Sequence, residues 1–336
     1  MRHLAPVLLA VLAPLLAATL VAALHGAGVF DEDTPEAAAL APTPAATATP
    51  TTPPAEPSVA ATVPVGRGPD GITVAGDGTV WVADFRAGTL LRISDDTVSG
   101  PPLQAGRSPD NPVVAGDGVV WVASSGDDAV RRIEGGRTTV IPVGRAPESL
   151  AIGGAFVWVT NAGDGTVTRI DRASGQVVGR PIRVGGQPFD IAIGRDAAWV
   201  TSFEDGTVTR IDTGSARVVG DPIEVGRRPR GVAVGAGSVW VANAGGASVT
   251  RIDADHGTVA GDPVPVGRDP RELAVGDGFV WVANAGDDTV TRIDAATGEV
   301  AGEPIPTGDD PTGIAIGAGA VWTANFRDGT VTKIEP

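Results

Sequence analysis

Apolar positions in this chain fall into short runs that break at regular places. From Arg268 to Gly308, ELAVG (272–276) ends at Asp277-Gly278, FVWVANA (279–285) ends at Gly286-Asp287-Asp288, TVTRID (289–294) follows, and a Pro-containing run covers 299–307. Short runs rich in β-branched residues, with Gly and Asp between them, read as strands. Asp-Gly between two such runs predicts a tight hairpin, because Gly accepts positive φ at no steric cost. Proline in the fourth run suits an edge strand. Four antiparallel strands in a period of 41 residues make one blade of a β-propeller.

The unit recurs seven times. Its landmark is a tryptophan, at Trp81, Trp121, Trp158, Trp199, Trp240, Trp281 and Trp322, with gaps of 40, 37, 41, 41, 41 and 41 residues. A fixed period of this kind is the signature of a repeat architecture. The expected fold is all-β, a seven-bladed propeller of four-stranded antiparallel blades. Stacked blades bury both faces of their inner strands, which VWV satisfies, and a Trp there offers a large area to bury between neighbours. The last copy stops after TVTKIEP (330–336), one strand short, whereas VAATVPVG (59–66) resembles the outer run 218–226. The N-terminal strand is therefore expected to complete the last blade and remove the open sheet edge.

WVTN at 158–161, WVAN at 240–243 and 281–284, and WTAN at 322–325 are followed by TVTRID-like residues, a turn and VGxxP. This pattern over residues 58–336 resembles the YVTN family of β-propellers, with Trp for the usual Tyr. The wider group includes virginiamycin B lyase and the sensor propellers of bacterial receptor kinases. The resemblance implies the fold and leaves the activity open, since one fold hosts many functions.

Composition adds the termini and some exclusions. With no cysteine, disulfides and thiol chemistry are ruled out. Residues 1–30 carry Arg2 and then an uncharged apolar run from Leu4 to Leu24, which reads as a signal peptide or N-terminal membrane anchor. Residues 31–57, rich in Pro, Thr and Ala, read as a disordered linker open to O-linked sugars. The expected location is outside the cytoplasm, secreted or anchored at the outer face of the membrane. A net charge of −15 disfavours nucleic acid, and the membrane is engaged only through the N-terminal segment. No phosphate-cradling loop, dinucleotide fingerprint or HExxH is present.

Within a repeat, a site belongs where copies depart from one another. The basic residue of the third strand (Arg92, Arg132, Arg169, Arg210, Arg251, Arg292 and Lys333), with an acid two places later in six copies, reads as a structural ion-pair ladder. The Asn at 161, 243, 284 and 325 reads as a turn former. Arg67, Arg107, Arg145, Arg227 and Arg268, just after VG, also read as structural. The xxPxx and NAGDG loops belong to one face, at the mouth of the central channel. There the residue after proline varies through Asp70, Asp110, Glu148, Phe189, Arg230, Arg271 and Thr312, and the next position adds Asn111, Asp190 and Glu272. Carboxylates on one side and arginines on the other suit a zwitterionic or polar ligand, or a divalent cation on the acidic side. Phe85, Phe203 and Phe326 occupy equivalent loop positions, and Phe189 lies in the neighbouring loop of Phe203's blade; exposed aromatics beside polar groups suit a peptide, glycan or protein.

The expected function is a noncatalytic binding, sensor or scaffold propeller, without a cofactor unless magnesium or calcium occupies the acidic rim. Two enzymatic alternatives stay open. One is a C–O lyase of the virginiamycin B lyase type, for which the resemblance implies a channel-mouth histidine base with magnesium. His3 and His25 lie in the export segment and His256 in a turn at the opposite face. The other is a metal-dependent hydrolase or lactonase.

Overall fold

A computed structural model describes residues 56–114 and 116–336. The expectations for residues 1–30 and for nearly all of 31–57 lie outside these residues. Seven antiparallel sheets follow one another along the chain, each with its inner strand first except the seventh, whose outer strand comes from the N-terminal side. Blade 6 has Pro270–Gly276, Phe279–Asn284, Thr289–Asp294 and an outer Ile305–Pro306. Its first hairpin turns through Asp277 at φ 52° and Gly278 at φ 83°, the left-handed pair that the Asp-Gly signal demands. The fourth run proves shorter than its sequence suggests. It pairs only at a bridge from Ile293 to Val300 and again at Ile305–Pro306, because the Gly and Pro between them cannot sustain a ladder.

The seventh blade closes as expected. Ser58–Pro64 pairs antiparallel with Thr330–Glu335, with Val63 opposite Val331. Val63 and Val65 are buried, so the latch is hydrophobic as well as hydrogen-bonded.

Each tryptophan packs forward onto the next blade. Trp158 of blade 3 meets Ile191, Val200 and Ile211 of blade 4. Trp240 of blade 5 meets Leu273, Val280 and Ile293 of blade 6, and Trp322 of blade 7 meets Ile72, Val82 and Ile93 of blade 1. Burying about 200 Å² of indole at ~25 cal/mol per Å² gives roughly 5 kcal/mol of gross transfer free energy per joint.

The basic ladder departs from expectation. Only Arg132 pairs with its acid, Glu134, at 2.6 Å. In every blade the cation instead lies over its own tryptophan, from 5.1 Å for Arg251 over Trp240 to 5.8 Å for Arg292 over Trp281, with Lys333 over Trp322 at 5.4 Å. An indole face attracts a cation where a carboxylate at the strand end has other work. Asp171 and Asp212, for example, accept N–H groups from Ser174 and Ser215 in the turns that follow. The Asn positions also differ. They are fully buried, and the Asn161 amide donates to Thr166 and Thr168 at 3.1 and 2.9 Å and accepts from the Gly144 N–H. They are cross-braces between the second and third strands rather than turn formers.

Candidate functional site

Two features of the repeat deliver loop residues to the channel mouth. The first is a zip between loop sets. Backbone N–H groups after the second strand donate to carbonyls before the loop proline, as in Phe85 to Gly68, Ala162 to Ala146, Ala244 to Arg228 and Phe326 to Asp310. The second is a register shift in all seven inner strands, just after the proline in six of them and one residue later, after Asp110, in blade 2. An extra residue there re-aims side chains, and here it turns the post-proline residues toward the axis.

All seven post-proline residues line one cavity of about 190 Å³, together with Phe85, Asn111, Ser125 and Glu272. A second space of about 380 Å³, bordered by Asn111, Ser149, Asp190, Glu272 and inward Val and Ile side chains, continues down the channel. Of the candidates, Asp70, Asp110, Glu148, Phe189, Arg230, Arg271, Glu272 and Phe85 share the mouth. Asp190 sits below. Phe203 and Phe326 stand behind, packed on Phe189 and Phe85 with ring centres 6.1 Å apart in both pairs.

The charges are unevenly committed. Arg271 is held by Asp269 and Asp310, both at 3.2 Å. Among the described residues Arg230 has no salt bridge and its buried Nε has no hydrogen-bond partner; its guanidinium lies 4.8 Å from the centre of Phe189 and 5.4 Å from that of Phe203. Burial and then the Arg271 charge push the Arg230 pKa down, against Asp269, Asp70 and Glu148. On the acidic side, burial pushes Glu148 up to about 6, helped by Asp70 and opposed by Arg230. Burial also raises Asp70, against a Thr312 hydrogen bond and the two arginines. Asp110 is raised well above its ordinary value by burial and by the charges of Asp70 and Glu148. Glu272 is likewise raised well above its own by burial, then by Asp190 and Asp110.

Asp190 has another role. Its carboxylate accepts from Ser149 Oγ at 2.5 Å, from the Ile191 N–H at 2.7 Å and from the Val232 N–H at 2.7 Å, tying blades 3, 4 and 5 together. Those bonds oppose the upward push of burial on its pKa. Sequence reasoning missed the bracing threonines beside it. Thr160 Oγ1 donates to the Phe189 carbonyl at 3.1 Å and Thr201 Oγ1 to the Arg230 carbonyl at 2.7 Å, each fixing the post-proline residue of the next blade. The signal available was Thr in place of Ala after WV in these two copies alone of the WV-Ala/Thr pattern.

Among the described residues no three carboxylate or histidine side chains come together to hold a metal ion, and Asp190 is engaged by protein donors. His256 is 78% exposed beside Asp253, in the turn after the third strand of blade 5 and away from the mouth.

Comparison with known proteins gives a consistent picture. A model of the virginiamycin B lyase family matches residues 137–336. No curated protein sequence matches the chain. Similar solved structures include a catalytically inactive histidine-to-alanine virginiamycin B lyase from Staphylococcus aureus with quinupristin, 22% identical over 80% of this chain and 95% of that one, TM-score 0.71. A streptogramin B lyase is 19% identical over 83% and 96%, TM-score 0.72. Hydrazine synthase from Kuenenia stuttgartiensis is 20% identical over 80% and 96%, TM-score 0.71. At these identities the structures share the fold alone.

Proposed function

The chain belongs to the virginiamycin B lyase family, and from that premise we propose that its channel mouth binds a small zwitterionic ligand without transforming it. One observation carries this reading: seven non-equivalent residues at one repeat position converge on one cavity, with opposite charges across it. Asp70 and Asp110, from blades 1 and 2, stand across the ring from Arg230 of blade 5, whose Nε has no partner. A carboxylate is the natural partner for a guanidinium fork, and an ammonium for the acidic wall. About 190 Å³ is smaller than a drug-sized site, so the occupant is of amino-acid or dipeptide size, or the end of a longer molecule. Calorimetric titration with dipeptides bearing free termini tests this. Binding should weaken on blocking either terminus and vanish in Arg230→Ala; equal binding of blocked dipeptides would refute it.

A second reading rests on Glu148. A carboxyl with a pKa of about 6 in a buried mouth has the properties of a general base. The Staphylococcus aureus virginiamycin B lyase is inactive with its histidine replaced, and His256 here lies away from the mouth. An eliminating enzyme on this scaffold would therefore draw its proton with Glu148. Incubating the protein with quinupristin and separating intact from opened ring decides it: opening lost in Glu148→Gln supports a lyase, and an intact ring refutes one.

A further inference from the structure

The rim outside the cavity carries a second departure from the repeat. In blades 2, 3 and 6 the arginine after the loop glycine is neutralised by an aspartate six residues past the tryptophan. Arg107 meets Asp127 at 2.6 Å, Arg145 meets Asp164 at 2.7 Å and Arg268 meets Asp287 at 2.5 Å. Blades 4 and 7 keep the aspartate and lose the arginine; Asp205 and Asp328 accept the N–H groups of Gly186 and Asp309 instead. Blades 1 and 5 do the reverse. They keep Arg67 and Arg227 but carry Ala87 and Gly246 where the aspartate would be. Among the described residues neither arginine has a salt bridge, and both are exposed.

These two sites are also where the phenylalanines gather. Beside Arg67 stands Arg86, which takes the place of the loop glycine of blades 2, 3, 5 and 6. Its Nη1 donates to the Arg67 carbonyl at 3.0 Å, and its guanidinium covers Phe326 at 4.6 Å. Beside Arg227 stands exposed Arg228, 5.9 Å from the centre of Phe203. Arg227, Arg228 and Phe203 border a groove of about 570 Å³ that Glu204 and Asp205 also line.

We infer that the mouth face docks an acidic peptide segment of a partner protein, its carboxylates on the arginine pairs 67/86 and 227/228. The stations flank the mouth on blades 7–1 and 4–5, three blades apart one way and four the other. Charge complementarity selects the occupant: the chain carries −15 overall, yet its rim presents two arginine pairs that have no salt bridge among the described residues. A fork of N–H donors placed over an aromatic ring, as Arg86 is over Phe326, suits capture of a carboxylate. An anionic sugar is the poorer fit, because sugars stack on open ring faces, and here guanidinium groups cover Phe326, Phe189 and Phe203.

Fluorescence anisotropy tests the inference, with a labelled peptide of Glu, Phe and Gly, its Gln-for-Glu counterpart and an oligouronate of equal charge. The Glu peptide should bind saturably. Arg67→Glu and Arg227→Glu should each weaken it roughly tenfold, and Arg180→Glu, the same charge change at an exposed position off the mouth, should leave it within about twofold. No saturable binding, equal binding of the Gln peptide, equal loss in Arg180→Glu, or tighter binding of the oligouronate would each overturn it. Dipeptide binding in the cavity should persist in Arg67→Glu, so the two proposals fail separately.

Discussion

The Arg251 guanidinium carbon lies 5.1 Å from the centre of the Trp240 ring, and the ring is wholly buried against blade 6. One pair thus joins the solvent edge of a blade to the seam with its neighbour. Trp240→Ala should lose about 3–5 kcal/mol of stability through the cavity it leaves. Arg251→Met, which keeps the stem and removes the charge, should lose about 0.5–2 kcal/mol. Urea unfolding monitored by circular dichroism measures both, and equal losses would show that the cation dominates the joint.

The latch makes its own prediction. Val63 is 4% exposed and sits opposite Val331 in the last blade. Val63→Asp places a carboxylate in that seam without a partner, which costs several kcal/mol or detaches the strand. Detachment bares the edge of Thr330–Glu335 to other chains. Light scattering should therefore rise on mild heating well before the wild-type transition, whereas Val59→Asp, at a position 42% exposed, should behave like wild type.

Glu148 predicts a pH dependence of unfolding. Its folded pKa of about 6 lies above its ordinary value of 4.5, so the folded protein holds a proton that the unfolded chain has released. The stabilisation from this group is complete below pH 4.5 and is lost as pH rises through 6, by up to ~2 kcal/mol. Carboxylates whose values are lowered, such as Asp127 and Asp164, lose stability only at lower pH and do not act in this window. Subtracting the Glu148→Gln stability curve from that of wild type isolates the step; a flat difference between pH 4.5 and 7 would contradict the assignment.

The tryptophan period, the Asp-Gly hairpins and the missing strand of the last copy carried the architecture and its closure, because each reports local backbone chemistry repeated seven times. The convergence of Asp70, Asp110, Glu148, Arg230 and Arg271 was legible for the same reason, since equivalent positions on a ring must meet at its axis. What escaped was side-chain choice among competing partners. Arg251 turned to an indole rather than to Asp253, and Asn161 turned inward to Thr168 rather than capping a turn. Asp190 could not be told from its neighbours by spacing; only the bulge geometry shows its oxygens taken by blades 3 to 5.

The most direct test of the whole account is a crystal structure with a bound zwitterionic dipeptide. Density is expected within the cavity lined by the seven post-proline residues, the carboxylate on Arg230 and the ammonium toward Asp70 and Asp110. Dipeptide bound only in the grooves between blades or along their outer edges, with water alone in the mouth, would contradict it.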